Sequence, residues 1–324
     1  HHRVFGGQVL AQGVIACGRT ITLEPGARPR PIHSLHAYFM RPGDDEAPIH
    51  FAVERMRDGA SFSTRRMHAI QHGKPILAMS ASFQEVAGGL DHQDEMPTVP
   101  APEDLPSMTD LFGGINEPRA QDLANRRPID MRHNDGHLFF APAEERTAEQ
   151  SVWMRTKGAL PDDPLIHAAV LAYSSDYSLL EPVLRRHGLV WPDARLRIAS
   201  LDHAMWFHRQ ARADGWVLYA QQSPSAQSGR GPAIGRLVGR GIVGGEREAA
   251  GTRQFETAQR KRERFGGAEP PRIPVGCGNL DDCLARVGPE CGDRACRCIH
   301  CGRPGGSIRR KPLGRQRQRH VGGT

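Results

Sequence analysis

Apolar and polar positions along the first 86 residues predict one helix followed by four strands. Between residues 6 and 17 the apolar side chains recur at helical spacing. Alternating or continuous apolar runs then predict strands at 33–40, 48–56, 61–71 and 75–84, with tight turns at 57–60 and 72–74. One helix against a four-stranded antiparallel meander is an α+β unit.

The same pattern returns in the second half of the chain. A polar, proline-rich stretch at 87–127 is typical of an inter-domain linker with one short helix. Strands are then predicted at 128–133 and 150–156, an apolar helix from 164 to about 186, and further strands at 195–209 and 215–222. Two copies of strands around one helix predict a longer, shared sheet.

Asp176 is the residue that departs most clearly from its local pattern. It shares a helix face with Leu165, Ala169 and Ala172, a face that should look into the core. A carboxylate turned toward a core costs several kcal/mol unless partners hold it. Either the side chain has a functional role, or the helix end slips toward the surface.

Charge and cysteine content divide the chain near residue 238. Residues 239–324 hold 18 Lys and Arg against 9 Asp and Glu, a net charge of +9, whereas the whole 324-residue chain carries +7. The body at 1–238 is therefore close to −2, and the sequence pI of about 9.3 belongs to the tail. Six of the seven cysteines also lie in the tail. No apolar run is long enough for a membrane span, and the chain opens on His1 without a starting Met or a visible signal peptide.

Three interpretations of the tail compete. Its Arg, Gly and Pro bias fits a shifted reading frame of a GC-rich gene. It also fits a disordered basic extension that binds nucleic acid through phosphate contacts. A cluster of Cys291, Cys296, Cys298, His300 and Cys301 has ligand types that suit zinc, although it lacks the two well-spaced Cys-x2-Cys pairs of a typical zinc site.

Several motifs of the body match one family when read in order. They are Arg3-Val4-Phe5-Gly6-Gly7-Gln8-Val9, His33-Ser34-Leu35-His36-Ala37-Tyr38-Phe39 with Arg41-Pro42-Gly43, Arg57-Asp58-Gly59 with Ser61-Phe62, Ser82-Phe83-Gln84, Ser174-Ser175-Asp176, and Leu201-Asp202-His203-Ala204-Met205-Trp206-Phe207-His208-Arg209. The body resembles the acyl-CoA thioesterase II family of double hotdog thioesterases. The resemblance implies two hotdog units, each a curved antiparallel sheet around a helix, and hydrolysis of acyl-CoA to free fatty acid and CoA without a metal or cofactor.

The resemblance also assigns roles to particular residues. The family's Asp corresponds to Asp176 and its Thr to Ser200, and the pair would orient and activate a water. Serine keeps the hydroxyl of the usual threonine. A carboxylate sheltered from water is the stronger base. The family's Gln, which follows Arg230-Gly231 on a final strand, has no clear match; Gln254 lies in the neighbourhood but in a different motif.

Substrate binding is expected at four further residues. Gly6 and Gly7 open the first helix, where backbone N–H groups could stabilise the oxyanion or could serve close packing alone. Asp202 and His203 would shape the cleft as a strand pair, with a second acid–base pair as the alternative. His33 and His36 fit packing or rim positions better than ligand positions.

Four segments are therefore expected. They are a first hotdog unit at 1–86 without its first strand, a linker at 87–127, a second unit at 128–238 without its final strand, and a basic tail at 239–324 that is disordered or frameshifted. The expected partner is the acyl-CoA substrate, in the cytoplasm, with no membrane or nucleic acid and with homo-oligomers as an open option. The alternatives are a non-catalytic acyl-CoA-binding remnant and nucleic-acid binding through the tail.

Overall fold

A computed structural model of the chain describes residues 3–22 and 25–239, and the backbone of a further strand at 253–263. The zinc, frameshift and nucleic-acid interpretations of the tail fall outside these residues. Ten strands form one antiparallel sheet, and two longer helices pack together beside it. The fold is α+β and double hotdog, as expected, although its two units share a single continuous sheet.

The helices and strands follow the chain in two similar series. The helices are α1 (Gly6–Gly18), α2 (Met108–Phe112), α3 (Pro118–Gln121), α4 (Pro164–Ser175) and α5 (Glu181–His187). The strands are β1 (Ile32–Phe39), β2 (His50–Asp58), β3 (Phe62–Gln71), β4 (Lys74–Gln84), β5 (Ile129–His133), β6 (Glu149–Thr156), β7 (Ile198–Phe207), β8 (Val217–Gln222), β9 (Arg230–Gly239) and β10 (Arg253–Glu263).

Strands β1 and β7 join the two halves of the sheet. The strand order is β2-β3-β4-β1-β7-β10-β9-β8-β6-β5, and β1 pairs with β7 from Ser34 opposite Trp206 to Tyr38 opposite Asp202. Backbone hydrogen bonds across this ladder make the halves one structural body. The site described below depends on that seam, because its groups come from both halves.

The hairpin turns of the first unit follow from their sequence. At the β3–β4 turn, His72 and Gly73 have φ angles of 48° and 69°. Two successive positive φ values are those of a type I′ turn, whose twist matches the flanking strands. The predicted turn at 57–60 likewise connects β2 to β3. The four strands predicted for the first half are therefore present with boundaries shifted by one or two residues, but the predicted meander is corrected: β2, β3 and β4 pair in succession, and β1 pairs with β4 instead of β2.

Helix α4, which ends within the Ser174-Ser175-Asp176 motif, is shorter than predicted. It ends at Ser175 rather than near residue 186, and Asp176 is its C-cap. A separate helix, α5, begins at Glu181 with Pro182 in its first turn. Proline has no N–H and its ring clashes with the carbonyl four residues earlier, so Pro182 fits a helix start and not a continuous helix.

The position expected to lack a strand is filled by β10. Residues 253–263 pair with both β7 and β9. Without this strand, β7 and β9 would each present a row of unpaired backbone groups in the middle of the sheet. The expectation that the second unit has no final strand is therefore corrected for the backbone of these residues.

The segment at 87–127 packs on the second half of the sheet and carries two short helices, α2 and α3, instead of one. The Trp153 indole donates to the Pro100 carbonyl at 2.9 Å, and Arg132 donates to Pro102 at 2.7 Å. Met108 and Phe112 of α2 are buried in the main core. The segment therefore covers an apolar face of β5 and β6 in addition to connecting the two units.

Candidate active site

Asp176 lies where the start of α1 meets the end of α4. Its side chain is 5% exposed. The Gly7 N–H donates to Oδ2 at 3.0 Å, and the Ser200 hydroxyl donates to Oδ1 at 3.3 Å. Each carboxylate oxygen is therefore held by a different element, one from each half of the chain. The first amides of a helix have no partner within it and carry partial positive charge, so they suit a carboxylate.

Glycines at positions 6 and 7 allow this close approach. A Cβ on Gly6 would lie 2.7 Å from Asp176 Oδ2, and a Cβ on Gly7 would lie 2.4 Å from the Tyr173 carbonyl oxygen. Both distances are below those of real Cβ contacts. The close packing expected of these glycines is thus seen, and stabilisation of the oxyanion stays a prediction.

A β-bulge turns Ser200 toward α4. On β7, Asp202 is opposite Arg260 while Ser200 is opposite the next residue, Lys261, so Leu201 is the extra residue. Residues three apart on a regular strand face opposite sides of the sheet. Because of the bulge, Ser200 and His203 both reach the end of α4.

His203 supports the end of α4 through Ser175, the residue before Asp176. It is 1% exposed, and its Nε2 lies 2.9 Å from the Ser175 hydroxyl. That hydroxyl donates to the Ala172 carbonyl, so the imidazole is the donor in the first bond. The Tyr219 hydroxyl also donates to the Ser175 carbonyl, at 3.1 Å. The residue before Asp176 is thus fixed from two strands.

Asp202 lies on the other side of the sheet. Alternation along β7 places it with Ala204 and Trp206, on the face opposite to His203. The structure therefore brings together four of the predicted site residues: Gly6, Gly7, Asp176 and Ser200. His203 contacts Ser175, the residue before Asp176, and Asp202 lies apart from these residues.

Aromatic rings form one wall beside Asp176. The Phe5 ring lies 4.8 Å from Tyr177 and 5.2 Å from Tyr173, and the two tyrosine hydroxyls are 3.0 Å apart. Burial and the hydrogen bond with Tyr173 raise the pKa of Tyr177, so its hydroxyl stays neutral. The Arg127 guanidinium lies 5.0 Å from the Tyr177 ring centroid, and burial lowers the pKa of this arginine. No local pattern predicts this wall, because its members are scattered along the chain.

A buried polar network lies behind the site at the start of α5. Glu181 is 1% exposed and accepts hydrogen bonds from Trp191 Nε1 at 2.8 Å and Gln150 Nε2 at 3.0 Å, with His133 Nε2 at 3.2 Å. Burial raises the pKa of Glu181, but the nearby His133 and these hydrogen bonds outweigh it and lower the pKa overall. The sequence interpretation missed this network, because its members come from four separate elements and loops.

Strand β10 contains two glutamines that could correspond to the family's Gln, Gln254 and Gln259. Gln254 is paired with Val238 of β9, and Lys261 is paired with Ser200. Seven residues along a strand span roughly 23 Å, so the backbone of Gln254 is remote from Ser200. Gln259, in contrast, is opposite His203. Backbone register therefore places Gln259, and not Gln254, beside the site.

The described residues show no arrangement for a metal ion or a membrane span. No group of three or more His, Cys, Asp or Glu side chains in this part of the chain is placed to hold a metal. Of the helices the structure describes, none has the length and apolar character needed to cross a bilayer.

Comparison with known proteins identifies the family. The family model described as acyl-CoA thioesterase matches residues 132–239, and the acyl-CoA thioesterase N-terminal domain matches residues 1–84. The chain belongs to the acyl-CoA thioesterase family.

Relatives and solved structures agree with this assignment. Acyl-coenzyme A thioesterase 8 of Homo sapiens is 38% identical over 248 residues, which cover 72% of this chain and 75% of the relative. Acyl-CoA thioesterase 2 of Haemophilus influenzae is 36% identical, covering 72% of this chain and 82% of the relative. The crystal structure of an acyl-CoA thioesterase II, TesB2, from Mycobacterium marinum matches with a TM-score of 0.64 and 39% identity, covering 82% of this chain and 90% of that one.

Proposed function

We propose that this protein hydrolyses acyl-CoA to a free fatty acid and CoA, with Asp176 as the general base. The observation that carries the proposal is the buried Asp176 carboxylate, held at both oxygens by Gly7 and Ser200, in a chain of the acyl-CoA thioesterase family. A carboxylate so fixed has a defined direction for its remaining lone pairs, which is what a general base needs.

The proposed reaction follows from these positions. Asp176 takes a proton from a water as the water oxygen attacks the thioester carbonyl. The tetrahedral intermediate then collapses, the C–S bond breaks, and the leaving sulfur receives the proton from Asp176, so that CoA leaves as the thiol and the carboxylate is regenerated. Ser200 is already within hydrogen-bond distance of Asp176, so its hydroxyl orients the carboxylate and the water beside it. A covalent acyl-serine is not required.

The oxyanion is assigned to the first amide of α1. The Gly7 N–H is directed at Asp176, so it is not the donor in this scheme. Gly6 precedes it at the first position of the helix. Its N–H has no acceptor within the helix and lies at the positive end of the helix dipole. Gly6 is therefore the proposed oxyanion donor.

The test measures CoA release from dodecanoyl-CoA with a thiol reagent. Asp176→Asn keeps the shape of the side chain and removes the base, and kcat should fall by about 10²- to 10⁴-fold. Ser200→Ala should reduce kcat by about 10-fold or more, because it removes a hydrogen bond to a charged group. Ser200→Thr is the matched control: it retains the hydroxyl and should stay close to the unaltered protein. Equal activity of Asp176→Asn and the unaltered protein would reject the assigned base.

Two further measurements ask which glutamine acts at the site and whether the protein binds acyl-CoA without hydrolysing it. Gln259→Ala and Gln254→Ala compare the positions beside and away from Ser200, and only the first should lower kcat if the amide acts at this site. Calorimetric binding of a non-hydrolysable acyl-CoA thioether, measured alongside, detects a protein that binds without turnover. A cytoplasmic location stays a prediction from sequence, and homo-oligomers and nucleic-acid binding by the tail stay open alternatives.

A further inference from the structure

The Arg127 guanidinium contacts two aromatic rings close to the candidate active site. Its central carbon lies 5.0 Å from the Tyr177 ring centroid and 5.4 Å from that of Phe139. Cation–π attraction to these rings stabilises the guanidinium in this position. Tyr177 directly follows Asp176 in the chain. The cation is therefore held within the length of a side chain or two from the proposed base.

A partly exposed surface connects this cation to the start of α1. The Phe5 ring lies 4.8 Å from the Tyr177 ring, and Phe5 directly precedes Gly6, the proposed oxyanion donor. Each member of this row is partly exposed: Phe5, Gly6, Tyr177 and Arg127. A ligand that occupies the candidate active site can therefore extend over the rings to the guanidinium.

Two nitrogens of the guanidinium are available to a ligand. Arg127 Nη1 donates to the Met131 sulfur at 4.0 Å, and a thioether is a weak acceptor. Nε and Nη2 have no acceptor among the described residues. Neither is enclosed by protein, whereas the unpartnered Nε atoms of Arg30 and Arg185 are. The two N–H groups can therefore be reached from solvent.

No carboxylate compensates the Arg127 charge at close range. Asp122 and Glu181 favour the cation only from a distance, and in the described part of the chain neither forms an ion pair with it. Burial lowers the pKa of Arg127, because it removes water that would otherwise solvate the charge. A bound anion would replace that lost solvation with charge-assisted hydrogen bonds.

We propose that Arg127 binds a phosphate group of the CoA part of the substrate. This inference rests on the proposed function, which supplies acyl-CoA as the ligand. A guanidinium donates two parallel hydrogen bonds to a phosphate, and every acyl-CoA carries phosphates. The flexible pantetheine arm joins them to the thioester, so the thioester can lie at Asp176 while a phosphate meets Arg127. Arg127 then holds the CoA part and takes no part in proton transfer.

Calorimetric titration of the full-length protein compares two thioethers that cannot be hydrolysed. S-dodecyl-CoA carries the phosphates, and S-dodecyl-pantetheine lacks them. Arg127→Met fills the place beside the rings but removes the donors, so it should weaken S-dodecyl-CoA binding about 10- to 100-fold. The same variant should bind S-dodecyl-pantetheine within about twofold of the unaltered protein, because this ligand offers no phosphate to Arg127.

Two further variants serve as controls. Arg126 is the neighbouring, exposed arginine, so Arg126→Met removes the same charge and should change S-dodecyl-CoA binding by about twofold or less. Arg127→Lys keeps the charge but loses the planar fork, so its affinity for S-dodecyl-CoA should lie between those of Arg127→Met and the unaltered protein. Circular dichroism checks that each variant is folded.

The proposal is overturned if folded Arg127→Met binds S-dodecyl-CoA as the unaltered protein does, or if it loses affinity equally for both thioethers. A loss confined to a CoA thioether with a terminal carboxylate on its alkyl chain would also overturn it, since Arg127 would then bind the acyl part. Thioether binding requires no turnover. A protein that binds S-dodecyl-CoA through Arg127 without releasing CoA from dodecanoyl-CoA would therefore contradict the proposed function and leave this site standing.

Discussion

Gly6→Ala should disable the site while leaving the fold intact. The new Cβ would lie 2.7 Å from Asp176 Oδ2, whereas ordinary contacts begin near 3.4 Å. The carboxylate must therefore move by about 0.7 Å, which lengthens the 3.0 Å bond from the Gly7 N–H beyond normal hydrogen-bond range. A hydrogen bond to a charged group contributes about 1.5–3 kcal/mol. If that amount is lost from the transition state, kcat falls by about 10- to 100-fold.

The assay is CoA release from dodecanoyl-CoA, with thermal unfolding followed in parallel. Gly13→Ala is the matched control in the same helix, since its Cβ would meet the terminal methyl groups of Met67 and Met79. Methionine side chains can yield to such a contact, so kcat should stay within about twofold of the unaltered protein. An unchanged kcat in a folded Gly6→Ala protein would mean that the observed position of Asp176 is not needed for turnover, and the reasoning would be refuted.

Three further outcomes are expected. The pKa of Glu181 is lowered in the folded state, so its stabilising effect is present at neutral pH and is lost as the pH falls below the ordinary value of 4.5. In urea unfolding, the free energy of unfolding should fall more steeply with decreasing pH in the unaltered protein than in Glu181→Gln. Equal slopes would contradict this. Gly235→Ala places a Cβ 2.3 Å from the buried Tyr219 ring, and the free energy of unfolding should fall by about 1–3 kcal/mol. Burial raises the pKa of Cys17 to about 12, so peptide mass spectrometry should find it alkylated only after unfolding; rapid reaction in the native protein would be the opposite result.

Local periodicity was sufficient for the positions of the strands of the first unit, for α1 and for the start of α4, but not for the end of α4. Alternation along β3 and β4, and the His72-Gly73 turn between them, were readable because strand faces and turn angles depend on neighbouring residues. The burial of Asp176 followed from its place on an apolar helix face, although the helix ends one residue earlier. Pro182 was the available signal that α4 and α5 are separate.

Other features required tertiary structure. The contact between Gly7 and Asp176 joins residues 169 apart in sequence, and no local pattern specifies such a pairing. The bulge at Leu201 depends on the partner strand β10, which itself has a mostly polar, charged sequence without clear alternation. The network around Glu181 is assembled from distant segments by the same packing.

The antiparallel meeting of α1 and α4 has a consequence for the number of reactive centres. Two identical units placed in this way would present the same amide–carboxylate contact at both ends. Here the end where Gly18 of α1 packs on Leu165 of α4 has no counterpart of Asp176, so the described residues of each polypeptide hold one carboxylate in this position, the one proposed as the base. If Asp176 is the base, a single polypeptide with two such units would therefore turn over one substrate at a time.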